Sequence, residues 1–352
     1  MTAQRTAKDR LQHLYLVFDD WHSGYSIRKV SLSRRSGKRV GSGEGAEPLP
    51  EVFMRIQADR GYSRYFTSAF GTKILAIMHL GIADGFPGFL MIDVEERCLV
   101  YGPKPNYNAY PIYFPVSDNK LFVLDIGTFH CYLMPKNSDE PWGRKHLPFP
   151  PFDRVNVSSY GVLPDGFVLL STKRTTFILD TKEYVWKPYG NWVVPFTGRG
   201  HYDTSLEGFV GLSKDPETLG YLYCCTMASI GTGDTLHPSP GFKCSKEKVF
   251  NKNPAERHVS ANLLHMRPGK FCIVECVSIE KGRADQELRE PGAAGGGCCY
   301  MYRVKTFSLG LGYDAKGDLK LKDSRVRCYS LPQEVTNDFL YHDGPAPAAF
   351  WL

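Results

Sequence analysis

The sequence predicts an all-β fold, a propeller of about six four-stranded blades closed by strands from both ends of the chain. Three observations point there. Aromatic residues make up 13% of the 352 residues, alongside 34 Gly and 24 Pro. This mixture suits short strands and tight turns better than helices. Strand-like runs follow one another quickly, and no long stretch has helical periodicity. An apolar run closed by Asp recurs as "FLMID" (Asp93), "LFVLD" (Asp125) and "TFILD" (Asp180), with "YLVFD" (Asp19) as a fourth copy.

In chain order the strand candidates are "HLYLVFDD" (13–20), "KILAIMHLG" (73–81), "GFLMIDVEERCLVYGP" (88–103) and "KLFVLDIGTFHCYLM" (120–134). They continue with "GFVLLSTKRTTFILDTKEYVWKPYG" (166–190), "LGYLYCCTM" (219–227), "KFCIVECVSIE" (270–280) and "CCYMYRVKTFSL" (298–309). Each is rich in β-branched and aromatic residues and bounded by Gly, Pro, Asn or Asp. Several hold three or four consecutive apolar residues, the pattern of strands covered on both faces. Each Asp-closed run is followed by a turn and a further strand, which gives four strands in roughly 40–50 residues, the spacing of a propeller blade.

On that unit the blades fall near 60–105, 110–152, 156–196, 205–250 and 258–331. The strands in 13–58 remain, and the segment "EVTNDFLYH" (334–342) is available to complete their sheet. A ring closed this way removes exposed sheet edges. The reading is one domain over 13–341, with loose insertions at 34–50 and 281–297 and tails at 1–12 and 342–352.

The net charge of +6 has a local origin. Of the 43 Lys and Arg, six lie in "RKVSLSRRSGKR": Arg28, Lys29, Arg34, Arg35, Lys38 and Arg39. The other 37 balance the 37 Asp and Glu. A neutral body with one basic loop argues against general nucleic-acid binding, which needs a broad positive face. The N-terminus carries Asp9 and Arg10 where a secretory leader would be apolar. The longest apolar stretch, "ILAIMHLGIA", is too short for a membrane span. These features predict a cytosolic or nuclear protein with free thiols and no membrane partner.

The run "LVFDDWHSGYSIRKVSL", then "AFGTKILAI", "MIDVEERCLVYGP", "LPFPPFD", "SSYGVLPDG" and "GNWVVPFTGRGHYD…LEGFVGLSKDP", resembles a family of kelch-like proteins of unknown function expanded in rice and other grasses and grouped with F-box-associated propellers. The resemblance spans about Leu14 to Leu331. It implies a kelch-like propeller and a plant setting but no reaction. With about a dozen residues before the first strand there is no room for an F-box, which speaks against an adaptor role in ubiquitin ligation.

The densest polar motif is "PFTGRGHYD" (195–203), where Arg199, His201 and Asp203 sit between apolar segments. They read foremost as a structural corner: Gly198 and Gly200 free the backbone for a crossing between blades, and Arg199 pairs with Asp203 or nearby carbonyls. The functional alternative has the three converging on a ligand. No G-x-S-x-G elbow accompanies them. Adjacent cysteines (Cys224–Cys225, Cys298–Cys299) point to opposite faces of a strand, and Cys272 and Cys276 sit ~13 Å apart, so no metal is expected. "GSGEG" (41–45) lacks the strand and the G-K-[ST] ending of a phosphate loop. No cofactor is expected.

Asp19 and Asp20, next to Trp21 and His22, resemble a sugar-binding corner. Trp186 reads as a wedge between blades, while Trp142 and Trp192 suit either a wedge or an interface. The expectation is a non-catalytic protein-interaction propeller with an unidentified protein partner. Its contact residues would be Trp21, His22, Trp142, Trp192, Arg199, His201 and Asp203, on loops 19–25, 140–154 and 191–203 of one face. The alternative is a carbohydrate-binding or carbohydrate-active propeller that uses an axial pocket.

Overall fold

The computed structural model describes residues 12–32, 46–61, 65–77, 88–105, 110–137, 139–213, 215–227, 236–251, 253–280, 298–312, 318–332 and 347–352. Blade 1 holds β1 (Leu14–Trp21), β2 (Gly24–Val30) and β3 (Val52–Gln57). Blade 2 holds β4 (Phe66–Ala69), β5 (Lys73–Ala76), β6 (Leu90–Asp93) and β7 (Cys98–Tyr101). Blade 3 holds β8 (Ile112–Ser117), β9 (Lys120–Asp125), β10 (Thr128–Leu133) and β11 (Gly143–His146).

Blade 4 comprises β12 (Ser159–Val162), β13 (Val168–Ser171), β14 (Thr176–Asp180) and β15 (Val185–Gly190). Blade 5 comprises β16 (Phe196–Asp203), β17 (Gly208–Ser213), β18 (Leu222–Thr226) and β19 (Phe242–Cys244). Blade 6 comprises β20 (Glu256–Arg267), β21 (Lys270–Glu280), β22 (Cys298–Leu311) and β23 (Leu319–Ser330). The last strand, β24 (Ala348–Trp351), pairs antiparallel with β1 and completes blade 1.

The innermost strands touch in a closed circuit: β24 to β4, then β8, β12, β16, β20, and back to β24. Six meandering sheets around one axis, with the two ends of the chain sharing a sheet, make this a six-bladed β-propeller. The cores lie between blades. Leu14, Leu16 and Phe18 of β1 pack on Val274, Cys276 and Tyr302 of blade 6. The alternate residues Tyr15 and Val17 pack on Phe66, Ile74 and Ile92 of blade 2. Unbroken apolar runs are therefore required, because both faces of a blade are buried and side chains alternate between them.

Two of the Asp-closed runs, at Asp93 and Asp180, are turn devices, and Asp203 is a third of the same kind. Asp93 accepts the amides of Glu95 and Glu96, and Arg97 that follows has φ 55°. Asp180 accepts Lys182 and Glu183 ahead of Tyr184 at φ 60°, and Asp203 accepts Ser205 and Leu206 ahead of Glu207 at φ 49°. An Asp whose carboxylate holds the next two free amides fixes the turn, and the left-handed residue closes it.

Three expectations need correction. Residues 342–346 of the expected tail lie outside the described residues, and its end, Ala348–Trp351, is instead the axial strand of blade 1. Its small Ala348 and Ala349 suit the crowded centre of the ring, where both are buried. "EVTNDFLYH" lies outside the described residues. Residues 196–203 are not an inter-blade turn but β16, so blade 5 begins about ten residues earlier than the sequence suggested. Finally, the end of the 34–50 insertion is fastened to blade 6, with Glu47 N donating to Cys328 O and Ser330 N to Glu47 O. Residues 33–45 and 281–297 lie outside the described residues.

Candidate functional site

Strand β16 is irregular where the polar motif sits. Thr197 faces Leu212 and His201 faces Val210, so three residues, Gly198, Arg199 and Gly200, oppose Gly211 alone. The bulged segment leaves its own blade and pairs in parallel with β12, Ser159 with Gly198 and Tyr160 with Arg199. Blades 4 and 5 thereby merge into one eight-stranded sheet. Both glycines are needed. Gly198 takes φ 69°, and a Cβ on Gly200 would lie 2.6 Å from the Phe196 ring. A bulge of this kind re-aims the side chain at its apex, and here that side chain is Arg199.

Arg199 lines a cavity of about 280 Å³ on the axis with Val162, Pro164, His201, Tyr202 and His265. The guanidinium is exposed to the channel, yet surrounding protein desolvates it enough to pull its pKa below the ordinary arginine value. His201 Nε2 lies 2.7 Å from the Leu263 carbonyl of β20. Burial, then the nearby Arg199 charge, lowers the His201 pKa to about 3, so the ring is neutral and donates from Nε2.

Asp203 is fully buried at the foot of β16. Its Oδ1 accepts from Ser205 N at 2.9 Å, Leu206 N at 3.1 Å and the Ser205 hydroxyl. Its Oδ2 accepts from His265 Nε2 at 2.9 Å and Gly269 N at 2.7 Å. Burial acts to raise its pKa, but the bonds from His265, Ser205 and Gly269 outweigh it and hold the value at about 2. The expected pairing of Arg199 with Asp203 does not occur, since the carboxylate is saturated by the turn and by blade 6.

The other expected contact residues are dispersed. Trp142 packs edge-on against Phe70 at 5.3 Å and Phe89 at 6.2 Å, as a wedge between blades 2 and 3. Trp192 donates from Nε1 to His237 O at 3.0 Å and leans on Tyr189. Trp186 wedges between Phe129 and Phe152. Trp21 lies under the Arg55 guanidinium at 5.4 Å, beside exposed His22. The sugar-binding corner is a folding contact: Asp20 takes Arg28 at 2.6 Å and the Ser26 hydroxyl, and Asp19 takes Gly61 N. Arg28 and Lys29 belong to strand β2, not to a loop, and Lys29 rests over Tyr15. Arg34, Arg35, Lys38 and Arg39 lie outside the described residues.

Sequence reasoning missed two groups. His265 sits in a long alternating strand with no local signal. Tyr110, Ile126, Phe149 and Val155 are 53%, 47%, 71% and 67% exposed, on connections of blades 3 and 4. Asp125 Oδ1 holds both Tyr110 N at 2.8 Å and Ile126 N at 2.7 Å, and Arg154 Nε donates to Tyr110 O at 2.8 Å. These bonds gather Tyr110, Ile126 and Val155 where β9 ends and β8 and β12 begin. Phe149, in the segment leading from β11 to β12, joins the same face. Among the described residues no group of three His, Cys, Asp or Glu side chains is placed to hold a metal, and no helix is long and apolar enough to cross a membrane.

The family model described as "Protein of unknown function (DUF1668)" matches residues 11–329. No curated protein matches the chain. Among solved structures it is similar to the Cps50 (Swd1) β-propeller domain of Myceliophteria thermophila, at 9% identity over 89% of this chain and 82% of that one, with a TM-score of 0.41. YCF48 from Cyanidioschyzon merolae aligns at 10% identity over 75% and 80%, with a TM-score of 0.36. Hsv2 of Kluyvelomyces marxianus aligns at 9% identity over 88% and 93%, with a TM-score of 0.35.

Proposed function

We propose that this chain, which belongs to the family described as Protein of unknown function (DUF1668), is a non-catalytic propeller that binds another protein. The observation that carries this reading is the exposed quartet Tyr110, Ile126, Phe149 and Val155. Single exposed apolar residues are ordinary, but apolar side chains gathered on one face are typical of contact surfaces. Asp125 and Arg154 hold the backbone of Tyr110 and Ile126 and the stretch beside Val155 in place, so little ordering entropy is lost there on contact. It overlaps the 140–154 stretch expected from the sequence. The contact surface is therefore centred on blades 3 and 4, and Trp142, Trp192 and Asp203 act within the fold.

The carbohydrate-active alternative is the weaker reading. Hydrolysis of a glycoside uses two carboxyl groups across the substrate. The axial cavity is lined by Arg199, His201, Tyr202 and His265, with no Asp or Glu among the described lining residues. A reducing compartment, cytosol or nucleus, is supported by nine described cysteines that are all unpaired. The resemblance drawn from the sequence supports a plant setting.

The test compares proteins retained by the wild type, by a Phe149→Asp/Val155→Asp double variant, and by Leu99→Asp, which alters a 50% exposed leucine on the outer strand of blade 2. The same partner should be held by the wild type and by Leu99→Asp and released by the double variant. Equal retention by all three would sink the reading.

A further inference from the structure

The Gly198–Arg199–Gly200 bulge does more than join two blades. The joint between β16 and β12 is made by backbone pairing, with Gly198 N donating to Ser158 O at 2.9 Å, and by the Thr197 hydroxyl on the same carbonyl, and none of it uses the Arg199 side chain. Any side chain at 199 would serve that joint. The residue present is an arginine, and among the described residues its guanidinium has no hydrogen-bond or ion-pair partner. Two nearby carboxylates, Asp203 and Asp125, are engaged elsewhere, while Asp165 and Glu207 act on the Tyr202 phenol from outside the cavity lining. Asp203 is saturated by five donors. Asp125 is 3% exposed and caps Tyr110 and Ile126.

The surroundings reinforce the imbalance. His201 Nε2 is committed to Leu263 O, and no acid lines the cavity among the described residues. Arg199 and Arg154 both act on the phenol of Tyr160, and Asp125 offsets the charge of Arg154. The Nδ1 atom of His265 carries no bond among the described residues, while Nε2 is anchored by Asp203. A guanidinium in a partly dehydrated cavity with no ion-pair partner among the described residues suits a planar or tetrahedral oxyanion, which its fork of N–H donors can grip bidentately.

We propose that the axial cavity beside Arg199 binds a small molecule bearing a carboxylate or phosphate group. The guanidinium supplies the charge, and His265 and Tyr202 lie on the cavity wall beside it. This site is independent of the apolar face on blades 3 and 4, and either stands if the other fails. The volume of about 280 Å³ suits a small metabolite or a single anionic side chain better than a polymer.

The test uses the full chain and three variants, Arg199→Gln, Arg199→Lys and Phe149→Asp. Thermal unfolding and calorimetric titration are run with inorganic phosphate, with succinate, and with sodium chloride at matched ionic strength. Because Arg199 is exposed and its side chain makes no hydrogen bond or ion pair among the described residues, its replacement leaves the unliganded fold intact. The wild type and Phe149→Asp should show a saturable rise in midpoint with phosphate or succinate but not with chloride. Arg199→Gln should bind about 30-fold more weakly or worse, and Arg199→Lys should recover part of the loss. A response to phosphate alone assigns a phosphate ligand, and one to succinate alone a carboxylate. An unchanged response in Arg199→Gln, or none to either anion in the wild type, overturns the proposal.

Discussion

Asp203 Oδ2 accepts a hydrogen bond from His265 Nε2 at 2.9 Å, across the boundary between blades 5 and 6. The same carboxylate caps the β16–β17 turn, so one buried side chain fixes both a hairpin and the seam between two blades. Replacing it with Ala strands several buried donors. We expect Asp203→Ala to lose about 3–5 kcal/mol of stability, read from urea unfolding.

The pH profile follows from the same geometry. The folded pKa of about 2 lies below the ordinary aspartate value of 3.8, so the stability due to Asp203 is complete above 3.8. It is lost as the pH falls from there toward 2. The wild type should therefore lose more stability across this window than Asp203→Asn. Parallel curves for the two proteins would contradict the assignment.

A second pH response comes from His130 on β10, which is fully buried and has no protein partner for either ring nitrogen among the described residues. Burial, then the charges of Arg144 and His146, lowers its pKa to about 4. A histidine depressed from 6.5 is neutral in the fold and more protonated in the unfolded chain. Its contribution is intact above 6.5 and declines as the pH drops through 6.5 to 4. By pH 4 this amounts to about 3 kcal/mol. His130→Leu should flatten the midpoint-against-pH curve between pH 6.5 and 4, measured by calorimetry, relative to the wild type.

Much of the architecture was legible because propeller strands are covered on both faces, which leaves runs such as Leu121–Leu124 and Val168–Leu170 with no polar break. The uneven spacing of the Asp-closed runs also has a structural explanation. Asp93 and Asp180 end third strands, β6 and β14, whereas Asp19 and Asp125 lie on second strands, β1 and β9. Asp93 and Asp180 cap the turn that follows them, whereas Asp19 holds Gly61 N and Asp125 holds Tyr110 N and Ile126 N, so the four runs are not one repeated device and their interval could not be constant. Strand β16 is hidden in the sequence because Gly198 and Gly200 are turn signals by every local rule. Only the neighbouring strand β12, about forty residues away, makes them part of a strand. Arg199, His201 and Asp203 were singled out together, but the bulge sends them to three tasks: channel lining, a bond to Leu263 and a blade seam.

The closing strand provides the last prediction. β24 contributes four residues, two of them alanines, after a stretch rich in Pro and Gly, and looks dispensable by composition. In the ring it is the axial strand of blade 1, paired to Leu14, Tyr15, Leu16 and Val17. Ala349 lies in the core toward blade 6, and Ala348 and Phe350 in the core toward blade 2. Removing residues 347–352 would expose the backbone edge of β1, flanked by fully buried Leu14 and Leu16. It would also break the contacts of β24 with β4 and β20, opening the circuit at one point. An unpaired apolar edge recruits other strands. The truncated chain should therefore elute as soluble aggregate in size-exclusion chromatography and lose its cooperative thermal transition, although under 2% of its residues are gone. A monomer with a wild-type midpoint would mean that the ring does not depend on the clasp between its two ends.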